Sequence, residues 1–255
     1  MRIRIDLNAD LGEGYGPWTM GDDAAMFGLV TSANIACGGH AGDPETMFRT
    51  LQLARDRGVV VGAHPSYPDR EFFGRRRLPY TPAQVERFVA AQIGALAAVA
   101  ALAGVRVAYV KPHGALANVA SEDLVIAGAV ARSVRAVDSG LAILAISGTA
   151  LERVARDEGI AVFSEIFADR GYTSEGNLVP RGQPGALIDD APTATERLLR
   201  FLDTGRMPTE NGGEVPLAAD SICIHGDSPH AVEMARHIRA ALEARGIELA
   251  PFAGC

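Results

Sequence analysis

The sequence predicts an α/β fold in which a parallel sheet closes, or nearly closes, into a (β/α) barrel. Three observations predict it. Strand-like and helix-like runs alternate through all 255 residues, the pattern of parallel strands joined by helical crossovers. Five apolar runs, at 3–10, 32–40, 59–64, 107–113 and 221–227, each lead into a charged or imidazole side chain, as buried parallel strands do where they meet the chemistry at their C-terminal ends. Those polar ends occur on nearly every strand instead of gathering at one switch point, which favours a barrel over an open doubly wound sheet.

In chain order, Ile3-Arg-Ile-Asp6-Leu-Asn8-Ala-Asp10 opens directly on a strand. After the second strand, Asp43-Pro44 places an N-cap aspartate before a proline at the first helical position, and Gly58 follows the helix end. Thr81-Pro82 repeats the device and opens a long alanine-rich helix that Gly104 closes. Further helices are predicted over 121–137, 149–158, 190–204 and 229–245, with weaker strands over 141–146 and 161–166. That makes seven strands, and the tail after Ile247 is a poor eighth. One domain spanning 1–255 accommodates them, since single barrels of roughly 250 residues are common. Long loops rich in Gly, Pro and Arg after the first, third and sixth strands suit lids over the barrel mouth.

Composition narrows the function. With 48% hydrophobic and 22% charged residues the chain has ordinary globular composition, and no apolar stretch is expected to approach the ~18 residues that span a bilayer. The first residues lack the apolar core of a signal peptide, so a cytoplasmic location is expected. Cys37, Cys223 and Cys255 show no CxxC spacing, and the first two read as small buried apolar residues. A net charge of −7 without a lysine-rich run argues against nucleic acid and leaves a small molecule or another protein as partner. There is no GxxxxGK[ST] phosphate loop and no GxSxG elbow, and Gly12-Glu-Gly14-Tyr-Gly16 has the wrong spacing for GxGxxG.

The candidate site residues are those at strand ends. Asp6, Asn8 and Asp10 share one face of the first strand by period-two alternation, with Glu13 just beyond. Carboxylates that close require a cation, a shared proton or a substrate donor. His40, His64, His113 and His225 end four strands, whereas His230 and His237 fall in the last helix. Converging with acids, such histidines suit divalent-metal binding or proton transfer, with Asp6, Asp10, His40, His64 and His225 as possible ligands. Lys111 requires an anionic partner if buried, either Asp6, Glu165 or a substrate carboxylate or phosphate. Asp169 and Arg170 follow the sixth strand, and Arg75 heads a run of three arginines suited to anion recognition.

At these residues the chain resembles a known family. Asp6-Leu-Asn-Ala-Asp-Leu-Gly-Glu13, Thr31-Ser-Ala-Asn-Ile-Ala-Cys-Gly-Gly-His-Ala-Gly-Asp-Pro44, Gly62-Ala-His-Pro-Ser-Tyr-Pro-Asp69, Phe73-Gly-Arg-Arg76, Val110-Lys-Pro-His-Gly-Ala-Leu116, Glu165-Ile-Phe-Ala-Asp-Arg170 and Ala219-Asp-Ser-Ile-Cys-Ile-His-Gly-Asp227 are similar, in order, to the signature blocks of the LamB/YcsF family. Gly39, Ser66, Ala117 and Ala9 depart from the usual pattern without removing an ionisable group. The resemblance implies a (β/α)7-type barrel of the glycoside hydrolase/deacetylase type. It also implies a 5-oxoprolinase that opens 5-oxoproline to glutamate at the expense of ATP, working with two partner subunits, B and C.

For that reaction, Lys111 and Arg75 or Arg170 are expected to hold anionic oxygens, His64 or His113 to move the proton, and Asp6 with Glu165 to orient water or a metal. Asn8, Asn34, His40, Asp169 and His225 are expected to contact substrate or phosphate. A metal-dependent deacetylase or amidohydrolase without ATP, and a non-catalytic substrate-binding role, are the alternatives.

Overall fold

Each barrel strand hydrogen-bonds in parallel to the next until the last returns to the first. The computed structural model describes residues 4–225 and 230–254. Ile3, Asp227, the predicted helix start at residue 229, and Cys255 lie outside the described residues. The first six strands are β1 (Arg4–Leu11), β2 (Ser32–Ala36), β3 (Val60–His64), β4 (Val107–Val110), β5 (Ala142–Ile146) and β6 (Val162–Phe167). A small antiparallel hairpin, β7 (Arg206–Pro208) and β8 (Glu214–Pro216), then precedes the seventh barrel strand, β9 (Ser221–Ile224), and a two-residue β10 (Glu248–Leu249). β9 pairs with both β6 and β1, so the sheet closes. β10 pairs only with Arg4 and Ile5, before β9 joins β1 at Asp6. The tail thus closes the floor without adding an eighth stave.

The helices are α1 (Asp23–Met26), α2 (Pro44–Arg57), α3 (Pro82–Ala103), α4 (Gly114–Glu122), α5 (Leu124–Val137), α6 (Ala150–Asp157), α7 (Ala191–Thr204) and α8 (Ala231–Ala244). The sequence signals hold at their ends. Asp43 accepts from the backbone N–H groups of Glu45 and Thr46, Thr81 and Gln84 form a capping box, and Gly58 and Gly104 close α2 and α3 in the left-handed region. The helix predicted over 121–137 is α5, which begins at Leu124, while residues 121 and 122 end α4, a separate helix that turns by 118° from α5 at their junction. Asp123 caps α5 there, accepting from Val125 and Ile126.

One expectation is corrected. The 22-residue α3, with mean hydropathy 1.6 over an 18-residue window, is long and apolar enough to cross a membrane by those measures alone. It lies between α2 and α5 in the outer layer and buries Val85, Val89, Ile93 and Leu96.

Alternation divides β1 between two environments. Ile5, Leu7, Ala9 and Leu11 join the apolar layer beneath the helices, whereas Asp6, Asn8 and Asp10 bond across the barrel interior. Tyr109, Val60, Ala142, Phe163 and Phe252 form an apolar floor below them. Gly62 makes room for Tyr109, because a Cβ there would lie 2.2 Å from the tyrosine ring.

Candidate active site

The interior is polar in its middle layer, and this layer is a scaffold. The Asp6 carboxylate accepts from Thr31 (2.6 Å), Ser32 (2.6 Å) and Ser221, tying β1 to residues at the starts of both neighbouring strands. Asn8 donates to Glu165 and Ser221 and accepts from Asn34, which donates also to Asp10 and accepts from the Tyr109 hydroxyl. Asp6 is therefore spent on hydroxyls, and Asn8 and Asn34 on each other, on hydroxyls and on Glu165, Lys111 and Asp10. None of them lines the cavity above, so the structure places them beneath it, in its support.

That cavity, about 440 Å³, occupies the barrel mouth at the C-terminal ends of the strands. Lys111 stands on its floor, with Nζ 2.9 Å from Asp10 and 2.8 Å from Glu165. The Cys223 sulfur is 3.0 Å away. Burial alone would discharge the lysine, but Asp10, Cys223 and Glu165 reverse this and hold it well above the ordinary lysine value. Burial likewise pushes Asp10 up, but His64 and Lys111 overcome it and keep the carboxylate ionised. Burial pushes Glu165 above its ordinary value despite Lys111, and its Oε2 is buried without a hydrogen-bond partner. The site thus holds an ammonium and a carboxyl group with its second oxygen uncommitted.

A Glu/His cluster forms one wall. His40, His64 and His113 come from the ends of β2, β3 and β4, and Glu13 follows β1. His40 Nε2 is 2.9 Å from Glu13, and His113 Nδ1 is 3.0 Å from His64 Nε2. The His40 and His113 rings stack 3.7 Å apart. Burial, with His40 and His64 beside it, holds His113 well below the ordinary imidazole value. This buried cluster can hold a metal ion. Of the five ligands expected from sequence, His40 and His64 belong to it. Asp10 approaches His64 Nε2 at 3.4 Å, whereas Asp6 is saturated by hydroxyls and His225 is engaged elsewhere.

The opposite wall combines apolar and cationic groups. Leu144, Ile146, Leu151, Phe167 and Leu178 face the mouth, with Arg75, Arg170 and Arg181 around it. Arg170 holds the long loop after β6 by donating to the carbonyls of Val179 and Ala186. His225 stacks on Phe167 and places Nδ1 2.8 Å from Asp169, whose ionised form it stabilises against the cost of burial. Asp169 therefore fixes the Nδ1–H tautomer of a cavity-lining imidazole, leaving Nε2 as its basic nitrogen.

A model of the LamB/YcsF family matches residues 5–255. The chain belongs to the LamB/YcsF family. It is 53% identical over 243 residues to the A subunit of 5-oxoprolinase from Gluconobacter oxydans (strain 621H), covering 95% of this chain and 96% of that one. It is 48% identical over 254 residues to the A subunit of 5-oxoprolinase from Methylococcus capsulatus, covering 100% and 98%. The crystal structure of a lactam utilization protein from Thermus thermophilus superposes with a TM-score of 0.91 at 44% identity, covering 97% and 99%.

Two departures from the LamB/YcsF pattern meet in space. A Cβ at Gly39 would lie 2.3 Å from Gln92 Oε1 and 2.5 Å from the Ser66 hydroxyl. Ala117 lines the cavity. From sequence, Glu13 reads as part of the acidic group with no role of its own, and Cys223 as an inert apolar residue. The signal for Cys223 is its parity: it lies two residues before His225 on the same strand face.

Proposed function

We propose that this chain is the A subunit of an ATP-dependent 5-oxoprolinase, opening 5-oxo-L-proline to L-glutamate with conversion of ATP to ADP and phosphate in an assembly with subunits B and C. The observation that carries the reading is the cavity itself. Lys111, Glu165 and the His225–Asp169 pair surround an apolar-walled space at the barrel mouth, beneath an arginine rim. A small cyclic amide with one carboxylate matches that distribution: methylenes against Phe167 and Ile146, anionic oxygens toward Lys111 and the arginines.

An unactivated lactam carbonyl is a poor electrophile. In the proposed path the γ-phosphoryl group of ATP passes to the lactam oxygen with ADP leaving, and water then attacks the ring carbon. His225, oriented by Asp169, takes the proton from that water, and Glu165 returns one to the ring nitrogen as the C–N bond breaks. The product is an acyl phosphate, which a second water hydrolyses, so that phosphate departs and the carboxylate of glutamate forms. Lys111 stabilises the oxygen on which charge gathers.

The test is release of ADP and glutamate from 5-oxoproline, measured with the chain alone and with both partners. Coupled release with all three subunits is expected, and Lys111→Met should lower it by at least about 100-fold. Unchanged turnover in that variant removes the site. Glutamate formed by the chain alone without ATP would instead establish the second reading, a metal-dependent amidohydrolase, which the Glu/His cluster favours.

A further inference from the structure

We propose that Glu13, His40, His64 and His113 form a binding site for a divalent first-row transition metal, zinc being the ion their geometry fits best. The four donors come from the ends of four successive strands, all are buried, and their ligand atoms lie within 4.8 Å of one another. Three of the separations are 2.9 Å (Glu13 to His40), 3.0 Å (His64 to His113) and 3.6 Å (Glu13 to His113). A tetrahedral shell with bonds of roughly 2.0–2.1 Å has edges of about 3.3 Å. The cluster thus has the size of such a shell.

Two backbone carbonyls fix the tautomers. His64 Nδ1 is 2.7 Å from the Lys111 carbonyl, and His113 Nε2 is 2.9 Å from that of Phe73. A carbonyl only accepts, so both these nitrogens carry hydrogen. With both rings neutral, the form that binds metal, the remaining two nitrogens present lone pairs to each other across 3.0 Å. Facing lone pairs repel unless a proton or a metal cation lies between them, and an imidazole that donates its other N–H to a carbonyl is the usual form of a metal-ligating histidine.

The second support is backbone strain. Phe73, at φ +55°, is the one non-glycine with positive φ among the described residues. Such a conformation is strained in a residue that bears a Cβ and persists only where its surroundings impose it. Here it aims the Phe73 carbonyl at His113, while the Phe73 ring packs edge-on against His40 and His113. Gly74 follows, also at positive φ, and a Cβ there would come within 2.9 Å of His40 and 3.0 Å of His113. The turn encloses the ligands from outside.

Three imidazoles and one carboxylate favour zinc or a neighbouring transition ion over magnesium or calcium, which take oxygen donors. His64 and His113 also line the barrel-mouth cavity, so the ion occupies its wall.

The experiment uses the purified full-length chain, stripped with a chelator and titrated with zinc and cobalt in the absence of 5-oxoproline and ATP. One ion bound per chain, a rise in Tm on zinc addition, and a tetrahedral cobalt spectrum are expected. Glu13→Gln, which preserves shape, should weaken binding more than about 10-fold. Should that variant fail to fold, the cobalt spectrum of the native chain decides. Absence of saturable binding, or a bound ion indifferent to both Glu13→Gln and His64→Gln, overturns the proposal. Because none of these readouts involves turnover, it stands or falls separately from the lactam-opening activity.

Discussion

Burial raises the Asp6 carboxyl from its ordinary 3.8 to about 6, although hydroxyls of Ser221, Ser32 and Thr31 donate to it. A carboxyl whose folded-state value is raised favours the fold while protonated. Its contribution is complete below about pH 4 and is lost as the pH climbs through about 6. The separation corresponds to about 3 kcal/mol. Asp6→Asn removes that titration, so the change in unfolding free energy between about pH 4 and pH 7 should differ from wild type by about 3 kcal/mol. Denaturant titrations at the two pH values measure it, and identical pH dependence would show that Asp6 does not titrate in this window. The same residue shows what is legible at this scale. Its parity with Asn8 and Asp10 puts it inside the barrel, as it is, but parity says nothing of depth. Four residues further along β1, Asp10 reaches the cavity, while Asp6 meets only hydroxyls. Lys111 is legible for a stronger reason, because a buried ammonium has to find carboxylates and few lie at the same level.

At the scale of elements, β3 and β4 interlock through Gly62 and Tyr109. The missing side chain at Gly62 lets the tyrosine cross the interior and donate to Asn34, which holds Asn8 and Asp10. Gly62→Ala drives a methyl group into a buried ring and should destabilise the chain by about 3 kcal/mol, with a large part of that loss absent when Tyr109 is already Ala. A double-mutant cycle followed by urea unfolding measures the coupling, and strict additivity would refute the contact. Capping chemistry makes α2 and α3 legible, since an N-cap aspartate or threonine before proline is local. The α4 helix lacks such a signal. Its N-cap, His113, makes no side-chain capping bond, and Ala115 N–H donates instead to the Gly74 carbonyl across the barrel mouth. The β7–β8 hairpin, three residues on each strand, is too short for alternation to declare it.

For the molecule as a whole, the floor and the site belong to one continuous structure. Phe252, in the tail, packs 4.8 Å from both Tyr109 and Phe163. Tyr109 carries the constraint upward through Asn34 to Asp10 and so to Lys111. Closure of β9 on β1 removes the sheet edge along which a barrel would otherwise open. Phe252→Ala should therefore cost about 2 kcal/mol, less than a fully buried phenylalanine because the ring is only half-buried. Its effect should also reach the mouth. Unfolding should remain one transition, coincident by near-UV and far-UV circular dichroism, while turnover in the assembled enzyme falls as Tyr109 loosens beneath Asn34. Two resolved transitions, or full turnover in a destabilised variant, would show that the tail is a separate plug and that Lys111 is held by its carboxylates alone.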